Sequence, residues 1–593
     1  MRLTILRGLG STTALWVVLA TCGRTESLPS AQANDNRTPA GTLSGDTLRI
    51  SLVARMGRWF PESDSGPFLE GAVFGEEGRA PQVPAPLIRV PVGTTIRASV
   101  RNQLDDTLLV VGLSGAQDTL RVAPSATEST ETVVRSPGSF AYYAHTRTGG
   151  EIKRHGPGQQ LFGALVVDST ATPGADRVLV LNSWDAILDN FVIMVNGRSW
   201  PFTERLTLNV GDTLRARVIN GSDADHPMHL HGFYYQVVAR GSWHSDTVFA
   251  AADRKLVVTE VLRPTQTMSM TWVPTRPGNW LFHCHDAFHI DGNQHDYLAG
   301  RKPPTTVPAH DAVQHATQDM AGLVIGINVH GEATVTEPSS AARRLRLVAQ
   351  TRSDTLTPYA YATDSATVPG PVLELVRGER TAITVVNHLP VHTAVHWHGI
   401  ELESYYDGVA GWSGSTARIA PLIAPNDSFV VVMTPPRAGT FIYHAHADDE
   451  RQIPLGLAGP LIVTERSARR NPARDHIWLY SVAGIDDSAL VVLNGARPLA
   501  PLRSGVEHRI RVINITAADM VTMELHDTDG IVRWRPIAKD GADLPRSQAT
   551  ERPARLQLQA GETWDFVWTP RRGRYELKVD SFNNFTVAVD VRE

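Results

Sequence analysis

Cysteine is nearly absent from this chain. Its 593 residues hold two, Cys22 and Cys284, so a disulfide framework is excluded beyond one bridge. Methionine is sparse, with 10 residues and no methionine-rich segment, which weakens any reading built on thioether capture of cuprous ions. No basic run stands out and the net charge is -5, so nothing points to a nucleic-acid partner. Long amphipathic helical patterns are scarce. Pro (38) and Gly (47) are instead frequent, and short alternating apolar runs lie between turn signals. That is the pattern of all-β domains, and the length suggests about four of them.

The one long apolar run is N-terminal. Arg2 and Arg7 precede Ala14 to Ala20, and small residues follow, which reads as a secretory signal over residues 1–22. The run is too short for a transmembrane helix. Leu19-Ala20-Thr21-Cys22 is similar to a bacterial lipoprotein cleavage box, which would make Cys22 a lipidated membrane anchor; ordinary secretion is the alternative. Both readings export the protein, to a periplasm or the extracellular space. Residues 23–44, rich in Ser, Thr, Asn and Pro, read as a flexible linker.

Four blocks follow, each patterned as a β-sandwich: residues 45–172, 173–335, 342–466 and 472–593. They repeat as A-B-A-B. The first ends in Phe140-Ala141-Tyr142-Tyr143-Ala144-His145 and the third in Phe441-Ile442-Tyr443-His444-Ala445-His446. Aligned from Asn102 to Asn387, Val111 and Leu113 stand where the third block has His396 and His398. Val218-Ile219-Asn220 of the second block matches Val512-Ile513-Asn514 of the fourth. Counted onward, Met520, Met523 and Leu525 face His226, His229 and His231; opposite His283, Cys284 and His285 the fourth block offers Lys578, Val579 and Asp580. Candidate ligands therefore survive only in the second and third blocks.

Those ligands come in pairs two residues apart: His229 and His231, His283 and His285, His396 and His398, His444 and His446. On a strand, such pairs share one face. Imidazole suits copper, zinc, iron or nickel. Cys284 lies between His283 and His285 and so points to the opposite face, where a thiolate with two imidazoles makes the trigonal set of a blue-copper centre. One segment can thus touch two metal centres.

This constellation resembles the multicopper oxidases, closely over the second and third blocks and as ligand-free echoes in the other two. The resemblance implies four consecutive cupredoxin-like Greek-key sandwiches, in an order similar to two fused two-domain units. It implies four coppers per chain, one type 1, one type 2 and two type 3. His226, Cys284 and His289 would hold type 1, His229 and His396 type 2, and His231, His283, His285, His398, His444 and His446 the type 3 pair. Cys284 would carry electrons between centres. Asp407, in Asp407-Gly408, would help deliver protons; a plain turn aspartate is the alternative. The family usually places the axial type 1 residue ten positions past the cysteine, which is Gln294. Met320, in Met320-Ala321-Gly322, resembles the axial methionine of copper nitrite reductases and is the favoured residue.

The implied reaction is laccase-like: one-electron oxidation of phenolic, aromatic or metal-ion donors, coupled to reduction of O2 to water. Oxidation of cuprous or ferrous ions in detoxification is an alternative. Copper nitrite reduction is disfavoured, because histidines on both sides of Cys284 suit a type 3 pair. The insertion 290–318, with His295, Asp296, His310, Asp311 and His315, is expected to be either a lid over the donor edge or a solvated loop.

Overall fold

Alternation of apolar and polar residues becomes strand throughout the chain. Thr95–Asn102, for example, buries every second side chain. The computed structural model describes residues 27–113, 119–146, 160–170, 174–185, 191–301, 311–332, 337, 339 and 343–593. The signal segment with Cys22, and His310 of the insertion, lie outside the described residues. Among the described residues, eight sheets pair in chain order into four two-sheet sandwiches. Each sheet mixes antiparallel neighbours with a parallel pairing, such as Arg343–Thr351 beside Thr381–His388 and Leu373–Val376 beside Ala458–Thr464. Chains that cross between the two layers in this way form Greek keys.

One expectation fails. Residues 27–44 are not a tether. Ser30–Ala33 is a strand that pairs with the first sandwich, Ser30 opposite Arg58 and Gln32 opposite Gln82. Thr42–Ser44 forms a hairpin with the next strand. Two of the polar residues that suggested flexibility are fixed inside. Asn34 and Asn36 are buried, and the Asn36 amide donates to Asn196 Oδ1 of the second sandwich at 2.9 Å. Backbone pairing and side-chain bonds here replace the missing apolar pattern.

The sandwiches meet through specific elements. A hairpin of the third, Gly414–Ser415, extends a sheet of the second, with Gly414 opposite Asn279. Trp412 Nε1 donates to the Trp280 carbonyl at 3.0 Å. The fourth sandwich reaches both neighbours. Its Lys539 ammonium donates to the Thr259 carbonyl at 2.8 Å and to Glu260 at 2.7 Å. Its Asp540 carboxylate accepts from the Val258 and Thr259 amides, both at 3.1 Å. Its Arg511 donates to Thr440 Oγ1 of the third at 2.6 Å.

Candidate metal centre

The strand Gly278–Cys284 carries both halves of the site. Its neighbour His226–Leu230 runs antiparallel, with His229 opposite His283 and Met228 opposite Cys284. In the third sandwich, His396 on Val395–His396 lies opposite His444 on Gly439–Ala445. The pleat sends Cys284 into the core of the second sandwich, and sends His283 and His285 to the junction with the third.

On the Cys284 side three atoms converge. Cys284 Sγ is 3.3 Å from His289 Nδ1 and 3.6 Å from His226 Nδ1, and the two nitrogens are 3.2 Å apart. A trigonal ion with bonds of about 2.0 to 2.3 Å would hold its ligands roughly 3.5 to 3.7 Å apart, close to this triangle. Ser222 Oγ donates to Asn220 Oδ1 at 2.8 Å, so it accepts from His226 Nε2 at 2.7 Å. That leaves the Nδ1 lone pair free for an ion. Burial pushes the Cys284 thiol well above its usual range, so a bound cation is what would hold it as thiolate.

Met320 is buried in the same apolar core as Cys284. Gln294 is buried too, but its amide is committed. Its Oε1 accepts from the Ile193 amide at 2.8 Å, and its Nε2 donates to the Phe288 carbonyl at 3.2 Å.

At the junction, eight imidazoles gather, all buried. Their potential ligand atoms form three groups: His229, His231 and His396; His231, His283 and His446; His285, His398 and His444. Backbone and carboxylate acceptors fix the tautomers. Nδ1 of His229 donates to the Val258 carbonyl, His283 to Cys284, His396 to Asp407 and His444 to Ala445, at 2.7 to 3.0 Å. Nδ1 of His231 donates to Asp407 Oδ2 at 2.8 Å. Each bond leaves an Nε2 lone pair facing inward.

These lone pairs face one another. His229 and His396 Nε2 are 3.3 Å apart, and His231 and His283 Nε2 are 2.8 Å apart. Nε2 of His444 and of His446, and both nitrogens of His285, are buried without a hydrogen-bonding partner among the described residues. Unpaired buried polar atoms are costly, and opposed lone pairs are repulsive. Cations among them remove both penalties. Burial, with the neighbouring imidazoles, holds His283 and His446 down to about 3, and burial holds His444 down to about 4. The rings stay neutral and ready to ligate. This donor set fits copper.

Asp407 is fully buried behind the cluster. It caps the turn Ser404–Tyr406, and its Oδ2 also accepts from Ser413 Oγ at 3.2 Å. Burial pushes its carboxyl up to about 7, against the Ser413 bond and Arg276. The following Gly408 has φ +98, and a Cβ there would lie 2.0 Å from the Val395 carbonyl. Asp407 is therefore both a turn residue and the orienting group for His231 and His396.

Several contributors carry no sequence signal. Gly561 of the fourth sandwich lies under His285, where a Cβ would come within 2.7 Å of the ring. Ser222 and Thr259 hold His226 and His229 from behind. The fourth block also needs a corrected register. Val521 lies opposite Leu558 and Met523 opposite Val579, as His226 lies opposite Leu262 and Met228 opposite Cys284. So Val521, Glu524 and His526 occupy the positions of His226, His229 and His231, one residue on from Met520, Met523 and Leu525. The turn after Asn514 is one residue longer: Asn514 Nδ2 donates to the Asp519 carbonyl, where Asn220 Nδ2 donates to Ala224.

Residues 174–296 and 352–468 match two family profiles, each described as multicopper oxidase. The chain is 38% identical over 106 residues to the laccase abr2 of Aspergillus fumigatus, covering 18% of this chain and 17% of that one. It is 35% identical over 115 residues to copper resistance protein A of Escherichia coli, covering 19% and 18%. The chain thus spans about a fifth of the length of these curated relatives. A multicopper oxidase structure from Campylobacter jejuni aligns over 74% of this chain and 96% of that one, at 14% identity and TM-score 0.34.

Proposed function

We propose that this chain, which belongs to the multicopper oxidase family, is a laccase-like oxidase taking electrons singly from a small-molecule or metal-ion donor and passing them to O2. The observation that carries this reading is the strand His283-Cys284-His285, which joins a His2Cys triangle on one face to an eight-imidazole cluster on the other. Four coppers bound there would supply the one-electron steps that couple four donor oxidations to conversion of one O2 and four protons into two waters.

His226, Cys284 and His289 would hold type 1, with Met320 axial. His229 and His396 would hold type 2. His231, His283 and His446 would hold one type 3 ion, and His285, His398 and His444 the other. Burial keeps bulk water from the imidazoles. Asp407 holds His231 through Oδ2 and His396 through its carbonyl, and its carboxyl oxygen is the atom from which a proton would reach the junction. Cys284 joins the two faces covalently, because His283 and His285 are its chain neighbours. Similarity to copper resistance protein A favours a metal-ion donor as the second reading. The N-terminal signal pattern supports export of the protein, and no helix among the described residues is long and apolar enough to cross a membrane.

Copper-loaded protein is expected to carry four coppers per chain, to absorb as a blue-copper protein and to consume oxygen with a phenolic donor. Cys284→Ser is expected to abolish absorption and uptake together. Two or eight coppers, or uptake that survives the substitution, would overturn the assignment. Nitrite turnover without oxygen uptake would point to the reductase reading instead.

A further inference from the structure

A cavity of about 720 Å³ lies between the insertion that follows His289 and the turn that follows His446. Seven carboxylates line it: Glu62 from the first sandwich, Asp291, Asp296 and Asp319 from the insertion side, and Asp448, Asp449 and Glu450 from the third sandwich. The Asp291 and Glu450 carboxyls are within hydrogen-bonding reach of each other. Two of the nearby counter-charges are committed to two of these carboxylates. Arg301 pairs with Asp296 at 2.7 Å, and His295 pairs with Glu62 at 2.5 Å. Arg451 is the remaining cation on the wall.

Crowded carboxylates alone do not make a site. The second observation is His315, on the π-turn His315–Asp319. It is 4% exposed and forms part of the cavity wall. Its Nδ1 is held by Asp319 Oδ2 at 3.1 Å. Its Nε2 is buried without a hydrogen-bonding partner among the described residues. An imidazole held by a carboxylate at one nitrogen and bare at the other has the arrangement of a metal-ligating histidine.

We propose that this cavity binds one hydrated divalent cation, separate from the copper-ligand groups, through His315 and the surrounding carboxylates. Carboxylates and water suit Mg(II), Ca(II) and Mn(II), and an imidazole adds preference for a transition ion, so Mn(II) or Fe(II) is the expected class. The room in the cavity suits an ion that keeps several waters. Such an ion would offset the mutual repulsion of carboxylates crowded on one wall. It would also tie the insertion to the third sandwich, beside Met320 at one end of the cavity and His446 at the other. The proposal stands independently of the oxidase reading.

The test is equilibrium dialysis of the copper-loaded full chain against Mn(II), with metal analysis. One Mn(II) per chain beyond the copper is expected. Glu450→Gln and His315→Ala should each weaken its binding by about 10- to 100-fold, with copper content and blue absorption unchanged. Glu450→Gln is nearly isosteric and decides the matter if His315→Ala fails to fold. No Mn(II) bound at about 1 mM, the weak end for extracellular cation sites, or equal binding by both variants and the parent protein, would overturn the proposal.

Discussion

Lys539 offers the sharpest test of how the fourth sandwich supports the cluster. Its ammonium is 1% exposed along its side chain and makes three bonds, to the Thr259 carbonyl, Glu260 Oε2 and Glu562 Oε1, at 2.8, 2.7 and 2.6 Å. Burial opposes the charge, but the two glutamates outweigh it and raise the lysine. In Lys539→Met, Glu260 keeps Lys255, at 2.8 Å. One net buried negative charge is left over. Breaking one partner of a buried pair costs about 3 to 5 kcal/mol. The charge can always escape by taking a proton, which caps the loss for an ordinary glutamate at about 3.7 kcal/mol at pH 7 and about 1 kcal/mol at pH 5.

The sign follows from linkage. In the variant the folded state binds a proton that the unfolded state has released, so stability falls as pH rises above about 4.3. A loss of 3 to 4 kcal/mol lowers the midpoint of a sandwich-sized unfolding unit by on the order of 10 °C. Thermal unfolding followed by circular dichroism at pH 7 and pH 5 measures both quantities. The double variant Lys539→Met, Glu562→Gln should recover most of the deficit at pH 7, because it removes the stranded charge. A pH 7 shift under about 3 °C, or a deficit equal at the two pH values, would refute the argument.

Other substitutions separate the roles assigned above. Asp407→Asn should keep the parent protein's copper content and donor KM, and lower kcat by about 10²- to 10⁴-fold, the range for losing a positioned proton donor; unchanged kcat would remove it from proton delivery. Met320→Leu should shift the reduction potential and absorption of the Cys284 copper. Gln294→Leu should leave both in place while destabilising the chain by about 1 to 3 kcal/mol, because it strands the buried Ile193 amide; the reverse pattern would make Gln294 the axial group. Gly561→Ala forces a Cβ against His285 at φ +80, and should weaken copper binding at the junction by about 10- to 100-fold with the blue absorption intact. Copper titration with spin-resonance detection distinguishes the two centres.

The histidine pairs were legible because their two-residue spacing is local. Strand periodicity alone puts His283 and His285 on one side and Cys284 on the other. The first block was legible for the same reason: no loop-length change separates Val111 from His396, and Tyr143 does lie opposite Val111 as His444 lies opposite His396. In the fourth block one added turn residue after Asn514 moved the strand Val521–Asp527 by one, and a one-residue slip exchanges the faces of a strand. Residues 27–44 misled because buried asparagines satisfied by hydrogen bonds are compositionally the same as a solvated tether. The Lys539, Glu260 and Glu562 triad and the Gly561 contact with His285 link residues hundreds of positions apart, and no local pattern encodes such pairs.

The corrected register explains why the first and fourth blocks look as they do. A buried imidazole without its ion leaves unpaired nitrogens, each costing about 1 to 3 kcal/mol. A sandwich that no longer holds metal is therefore stabilised by replacing those rings with side chains that need no partner. Val111, Leu113 and Val521 stand at such positions and are buried. The histidines that remain at ligand-equivalent positions, His145 and His526, are only half-buried, and His526 Nε2 lies 2.9 Å from Glu524. Burial thus sorts the survivors. The fourth block meanwhile keeps Lys539 and Asp540 bonded to the strand behind His229. Its remaining part in the site is mechanical: it holds in register the wall against which the second sandwich sets its imidazoles.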